Sequence, residues 1–467
     1  MFRVLESAIC AHGHSRGIEG TLVRRGDADY DAVWASMLWN GLKPRRFPEL
    51  IVRAACEQDV VEAVRLARSH GLCVAVRSGG HSWCGSPLRS DGMLIDLSRL
   101  RRCEVDPAAG TAFVQPAVTG DELVPRLVEH GLAFPVGHCG SVAVGGYLLS
   151  GGLGWNSRAL GPACRSVYEI EAVTADGEAI RCNEDEHPEL LWAARGAGPG
   201  FFAVVTGFRL RLHRHPGAIS SITYGFPLAD VEEAANWAAE TARELQPTVE
   251  STLVMATASP DTTALSPRPK VLTLTATAFA DSSDEAAGLL RPLESSPFAK
   301  RALFRDTDAP ASLCALNHAS ASFWPPQGRY AADTLWSQAP VGTLLSRLRD
   351  TIENAPSDDS LVLAPVSPAS QDEDLLGDMA FSVLGESYVV PYAVWDDPAD
   401  DGVNTRWLRS AMSSVEPLGT GHYIAESDLT ADPSRAERSF APDHWQRLQT
   451  LRARYDPYGV FHSYLTP

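Results

Sequence analysis

The sequence predicts an α+β protein, and three observations carry that prediction. Hydrophobic residues make up 45% and charged residues 21% of the 467 residues, the balance of a chain that buries cores rather than one that stays disordered. Within the first 215 residues, short β-prone runs outnumber helical patterns by more than a doubly wound parallel sheet would show. After His215-Pro216 the composition shifts to Ser/Asp/Pro-rich breaks between short apolar strands and amphipathic helices. At roughly 150 residues per folding unit, two or three units are expected. The expected division is residues 1–215, rejoined by 435–467, and a second domain over 216–434.

The elements follow in order. Leu50 to Val52 is a short apolar run behind Pro48. Residues 57–70 read as a helix, with Val60, Val61, Val64 and Ala67 on one face and Gly71 at the left-handed C-terminal cap. Leu72 to Val76 is a strand that runs into Arg77-Ser78-Gly79-Gly80-His81-Ser82, a tight loop by composition. Met93 to Leu97 and Thr111 to Gln115 are further strands, and Asp121 to His130 is a helix. Val167 to Ala175 and Glu178 to Cys182 flank Asp176-Gly177, a two-residue hairpin signal. Phe201 to Leu212 alternates like a strand, and Pro442 to Tyr455 is the last helix.

Several function classes drop out. A formal charge of −18 argues against wrapping nucleic acid or an anionic membrane. Nine cysteines, no two in C-x-x-C spacing, argue against a disulfide scaffold, a zinc ribbon or a thioredoxin-type site, and no metal site is expected. The first residues, MFRVLESAICAHGHSRG, lack the apolar core of a signal peptide, so a cytoplasmic location is expected. The longest stretch without Asp, Glu, Lys or Arg, residues 131–157, holds eight glycines and reads as loop rather than membrane span.

Two loops could carry chemistry. In the first, Gly79 and Gly80 permit the close backbone approach that lets successive N–H groups point at an anion, Arg77 fits a phosphate, and His81 sits beside them. The competing reading is a plain turn with a surface histidine. The second loop runs from Gly137 through Cys139, Val142, Gly145 and Gly146 to Gly154. It is neither a G-x-G-x-x-G fingerprint nor a P-loop, and Cys139 alone reads as an inert thiol. A Cys139/His81 nucleophilic dyad stays open.

Taken together, five segments in order, VAVRSGGHSWCG, MLIDLSRL, FPVGHCGSVAVGGYLLSGGLGW, EAVTADGEAIRC and LLWAARGAGPGFFAVVTGFRLRL, resemble the FAD-linked oxidases of the berberine bridge enzyme-like group. The resemblance implies a PCMH-type FAD-binding domain plus a substrate domain with an antiparallel sheet and flanking helices. It implies FAD bonded covalently through His81 and Cys139. Ser78, Gly79, Gly80, Ser82, Gly145 and Gly146 would cradle the pyrophosphate, and Val205 would lie along the cofactor. Val142 matches a position where a small residue leaves oxygen a path. Imidazole and thiolate are the good neutral-pH nucleophiles for such a tether.

The chain departs from the family pattern in two places. Gly459 replaces an Asn in the tail, and Tyr423-Ile424-Ala425-Glu426 replaces Tyr-x-Asn-Tyr, putting Glu426 where the second Tyr can be the base. A buried carboxylate can accept a hydroxyl proton; the competing reading is a solvated loop glutamate. Tyr423, Tyr388 and Tyr392 are the other candidates, with packing aromatics as the plainer role. The expected activity is oxidation of a hydroxyl-bearing carbon in a bulky small molecule, a carbohydrate or natural-product alcohol, with molecular oxygen as electron acceptor. The alternatives are a dehydrogenase using another acceptor, a flavin-binding protein without turnover, and a Cys-His hydrolase. Oligomeric state is not legible in the sequence.

Overall fold

The computed structural model describes residues 17–260, 263, 265, 268–325, 327–366 and 376–465. A four-stranded sheet runs in the order Thr21–Arg24, Leu50–Arg53, Met93–Asp96, Val74–Arg77. Leu50–Arg53 and Val74–Arg77 both lie parallel to Met93–Asp96. The helix Glu57–His70 covers it with Val60, Val61, Val64 and Ala67 buried. It ends where the sequence predicts: Gly71 has φ 64, and its N–H reaches the carbonyls of Ala67 and Arg68.

Beside it lies a five-stranded antiparallel sheet, in the order Cys103–Asp106, Thr111–Val114, Val204–Arg211, Val167–Val173, Ala179–Cys182. The chain's tail packs against the first sheet. The Asp456 carboxylate accepts the N–H groups of Val460 and Phe461 at 2.7 and 2.9 Å, and Val74 donates to the Val460 carbonyl at 2.7 Å.

The glycine-rich stretch is not all loop. Val144–Leu149 is a short helix, with Gly145 and Gly146 in its first turn. Helix propensity disfavours glycine there, but a Cβ on Gly145 would stand 2.8 Å from both Pro116 Cβ and Ser78 Oγ. Close approach to the Ser78 loop overrides propensity.

The chain between these parts builds a nine-stranded antiparallel sheet. Its path is Phe304–Ala311, Ala218–Pro227, Lys270–Ala280, Val249–Thr257, Leu361–Val366, Ser387–Trp395, Leu335–Ser337, Gly419–Gly421, and Arg329–Ala332 also pairs with Ser387–Trp395. The helices Val231–Glu244, Ser283–Glu294, Val341–Glu353 and Asp401–Val415 supply the core that buries Val249, Leu253, Met255, Val389 and Ala393. Side chains alternate along a strand. Residues 250, 252 and 254, with 388, 390 and 392, therefore point away from those helices, toward the two glycine loops. Among the described residues, no helix is long and apolar enough to cross a membrane.

Candidate functional site

The Arg77 to Ser82 loop leaves the end of a parallel strand and meets the Val144–Leu149 helix directly. Ser78 Oγ accepts the Gly146 N–H at 3.2 Å. A Cβ on Gly79 would stand 2.5 Å from Ala143 Cβ, so only glycine lets the two segments touch. Gly80 has φ +73, and its Cβ would sit 2.3 Å from the Met37 carbonyl. Arg77 differs from the expected phosphate clamp. Its guanidinium donates to Asp96 at 2.8 Å, to the Gly79 carbonyl at 3.0 Å and to the Met37 carbonyl at 3.2 Å. Asp96 is fully buried, and a buried charge demands a partner. Arg77 thus shapes the loop from beneath.

His81 and Cys139 come together. Nε2 and Sγ are 3.9 Å apart, and Ser141 Oγ lies 3.3 Å from the nitrogen and 3.2 Å from the sulfur. The imidazole stacks on Trp39, with centroids 4.1 Å apart and 13° between planes, and Trp39 stacks in turn on Tyr330. Burial brings the His81 pKa down to about 4. At neutral pH the ring is uncharged and keeps a lone pair for bond formation.

Both groups open on a cavity of about 590 Å³. Arg77, Ser78, Gly79, Gly80, His81, Ser82, Cys139, Val142, Gly145, Gly146 and Val205 line it, as do Tyr388, Tyr392, Tyr423 and Glu426. The sheet supplies one wall in register. Thr273, Val254, Leu363 and Val390 are cross-strand neighbours over four strands, and Leu361 pairs with Tyr392.

On that wall the Glu426 carboxylate accepts from Tyr388 at 3.2 Å and from Tyr392 at 3.2 Å. Burial raises the Glu426 pKa, against hydrogen bonds from Tyr388, Tyr392 and Trp83 that lower it. The phenols of Tyr388 and Tyr392 are themselves held well above their ordinary values by burial and by the Glu426 charge. They stay protonated and donate. Tyr423 is arranged differently from a base. Its oxygen accepts the N–H groups of Gly152 and Leu153 at 3.1 and 3.4 Å, latching the glycine-rich loop to the segment that follows Gly419–Gly421.

Several lining residues have no counterpart in the sequence reading. Trp83 and Trp324 pack at 5.1 Å between centroids, and each also meets Tyr392. Trp83 stands two places after His81, a position that could have drawn notice. His138 and Glu250 pair at 2.6 Å across the cavity's edge. Glu250 is distant in sequence, and only the alternation of its strand (Val249, Ser251, Leu253 and Met255 inward) marks its opposite face.

Comparison with known proteins identifies the class. Residues 48–183 match the FAD binding domain family. The chain is 31% identical to the FAD-linked oxidoreductase janO of Penicillium janthinellum, over 92% of this chain and 93% of that one. It belongs to the FAD-linked oxidoreductase family. Its fold is shared with 6-hydroxy-D-nicotine oxidase of Arthrobacter nicotinovorans (TM-score 0.82, 22% identity, 96% of this chain and 98% of that one). Berberine bridge enzyme of Eschscholzia californica has the same fold (TM-score 0.80, 19% identity, 98% and 97%). The α+β architecture with a PCMH-type FAD-binding domain is therefore present, and the protein is an FAD-dependent oxidoreductase.

The residues fit that cofactor. A Cβ on Gly146 would find only Ser78 Oγ within 4 Å, at 3.9 Å, so the helix start presents bare backbone to the cavity. An uncharged imidazole and a thiol share one edge of the same space.

Proposed function

We propose that the chain is an oxidase that carries FAD covalently through His81 and Cys139 and oxidises a hydroxyl-bearing carbon of a bulky substrate, with molecular oxygen as the final acceptor and hydrogen peroxide as product. Bound FAD supplies the hydride acceptor and the reaction with oxygen. The chain's residues supply the rest. Ser78, Gly79, Gly80, Ser82, Gly145 and Gly146 hold the pyrophosphate with backbone and hydroxyl groups. Val205 lies along the cofactor. Glu426 takes the substrate's hydroxyl proton, and Tyr388 and Tyr392 hold its carboxylate in place.

The observation that carries this reading is that Glu426, with two phenol donors, faces the same cavity as the His81/Cys139 pair. The breadth of the sheet wall supports a carbohydrate or natural-product alcohol. Val142 lines the cavity as a small residue, which favours access by oxygen. The test is anaerobic mixing with a panel of sugars and ring alcohols, followed by air. Bleaching of the flavin band and then stoichiometric peroxide are expected. Bleaching without peroxide assigns a dehydrogenase, and no bleaching with any compound overturns the reading.

A further inference from the structure

A second polar centre lines the same cavity, and the reaction above leaves it unused. His138 precedes Cys139, and its side chain is 39% exposed, opening on the cavity. Its Nε2 is 2.6 Å from Glu250 Oε1. Glu250 Oε2 in turn accepts the Asn156 N–H at 2.8 Å, so both carboxylate oxygens are committed and the imidazole's direction is fixed. Trp155 packs edge-on against the ring at 4.4 Å and is itself anchored by donation to Asn317 at 2.7 Å. Nδ1 has no protein partner among the described residues.

The surrounding titratable groups are few. Glu250 faces the ring from the strand Val249–Thr257, Glu426 acts on it across the cavity, and Tyr147, on the short helix, lies near Glu250. Burial alone would lower the imidazole's proton affinity. The charge and hydrogen bond of Glu250, with Glu426 behind it, outweigh burial and raise it. The arginines that line the cavity are committed elsewhere, Arg77 to Asp96 and Arg89 to the carbonyls of Ser86, Ser463 and Tyr464. Of the three histidines that line the cavity among the described residues, His138 is the one whose proton affinity is raised, by Glu250, while burial lowers those of His81 and His462.

We propose that His138, oriented by Glu250, is a second substrate-contacting residue, and that the cavity takes ring compounds with two polar groups: the hydroxyl oxidised at Glu426 and a second oxygen acceptor held by the imidazole. This rests on the oxidase reading above and adds the substrate's second recognition point. No bond is made or broken at His138. The imidazolium donates a hydrogen bond to a hydroxyl, ether or carbonyl oxygen while Glu250 compensates its charge.

Two experiments on the full chain test it. In the first, diethyl pyrocarbonate, which acylates only neutral imidazole, is applied between pH 5 and 9, with His138 modification read by peptide mass spectrometry. The midpoint for His138 is expected above that of a free imidazole, and to move down by about one pH unit or more in Glu250→Gln, which keeps an acceptor for the Asn156 N–H. An unmoved midpoint overturns the pair. The second compares each diol or hydroxy-ether that bleaches the flavin with its mono-hydroxy analogue. His138→Gln is expected to raise KM for the two-oxygen compound about tenfold or more, the loss of one charge-assisted hydrogen bond, and to change the analogue less than about twofold. Equal effects on both compounds overturn the second contact and leave the oxidase reading standing. Absence of bleaching by any compound overturns the oxidase reading and the contact with it, while the modification midpoint still judges the His138–Glu250 pair.

Discussion

The two sides of the cavity are built by opposite means. The cofactor side uses backbone: Gly79 against Ala143, Gly145 against Pro116, and Ser78 bonded to the Gly146 N–H. Its key residues fall within two short loops. The proposed substrate side uses side chains delivered by separate strands and a distant loop: Tyr388 and Tyr392 from one strand, Glu250 from another, Glu426 from residues 423–426. A backbone site tolerates almost no added atom. A side-chain site can change its chemistry one residue at a time while the sheet stays intact. One fold can thus keep its cofactor and exchange its substrate.

The largest effect is all or none. His81→Ala/Cys139→Ala is expected to release every trace of yellow from an acid-precipitated pellet, whereas either single variant keeps it. Flavin washed off the wild-type pellet would end the covalent assignment. On the opposite wall, Glu426→Gln should lower kcat/KM by about 10²- to 10⁴-fold, the usual contribution of a general base, with the flavin spectrum unchanged. Loss of flavin in that variant would blur the division between the two sides.

A pH profile sharpens the same division. Glu426 acts as a base only when ionised, and burial raises its pKa. Activity should therefore fall as pH drops through a midpoint above the ordinary glutamate value. The phenols of Tyr388 and Tyr392 oppose that rise, so Tyr388→Phe should move the midpoint to still higher pH; a downward move would contradict the hydrogen bonds seen. The smallest effects are on stability. Gly79→Ala must push Ala143 aside and should cost about 1–3 kcal/mol by overpacking, with weaker flavin retention. Tyr423→Phe leaves the Gly152 and Leu153 N–H groups without their acceptor, about 1–3 kcal/mol, and should leave the pH midpoint in place. Thermal melts check both.

What could be read from the sequence follows the same line. The Glu57–His70 helix and its Gly71 cap were visible because period and cap are local. His81 and Cys139 were visible because ordered motifs surround them. The Val144–Leu149 helix was not, because the reason for its glycines is Pro116 and Ser78, which are distant in sequence. Arg77 looked like a phosphate ligand because Asp96, its actual partner, lies on a neighbouring strand. His138 and Glu250 are 112 positions apart, and nothing in either local pattern announces the other.

The stack of His81, Trp39 and Tyr330 has an optical consequence. An indole held face to face with the imidazole is a native fluorophore within a few ångströms of the proposed tether. Its emission should dim as the flavin becomes attached and recover in an unloaded chain. Cofactor uptake should then show, without label or substrate, as the part of the emission of the chain's eleven tryptophans that Trp39 contributes.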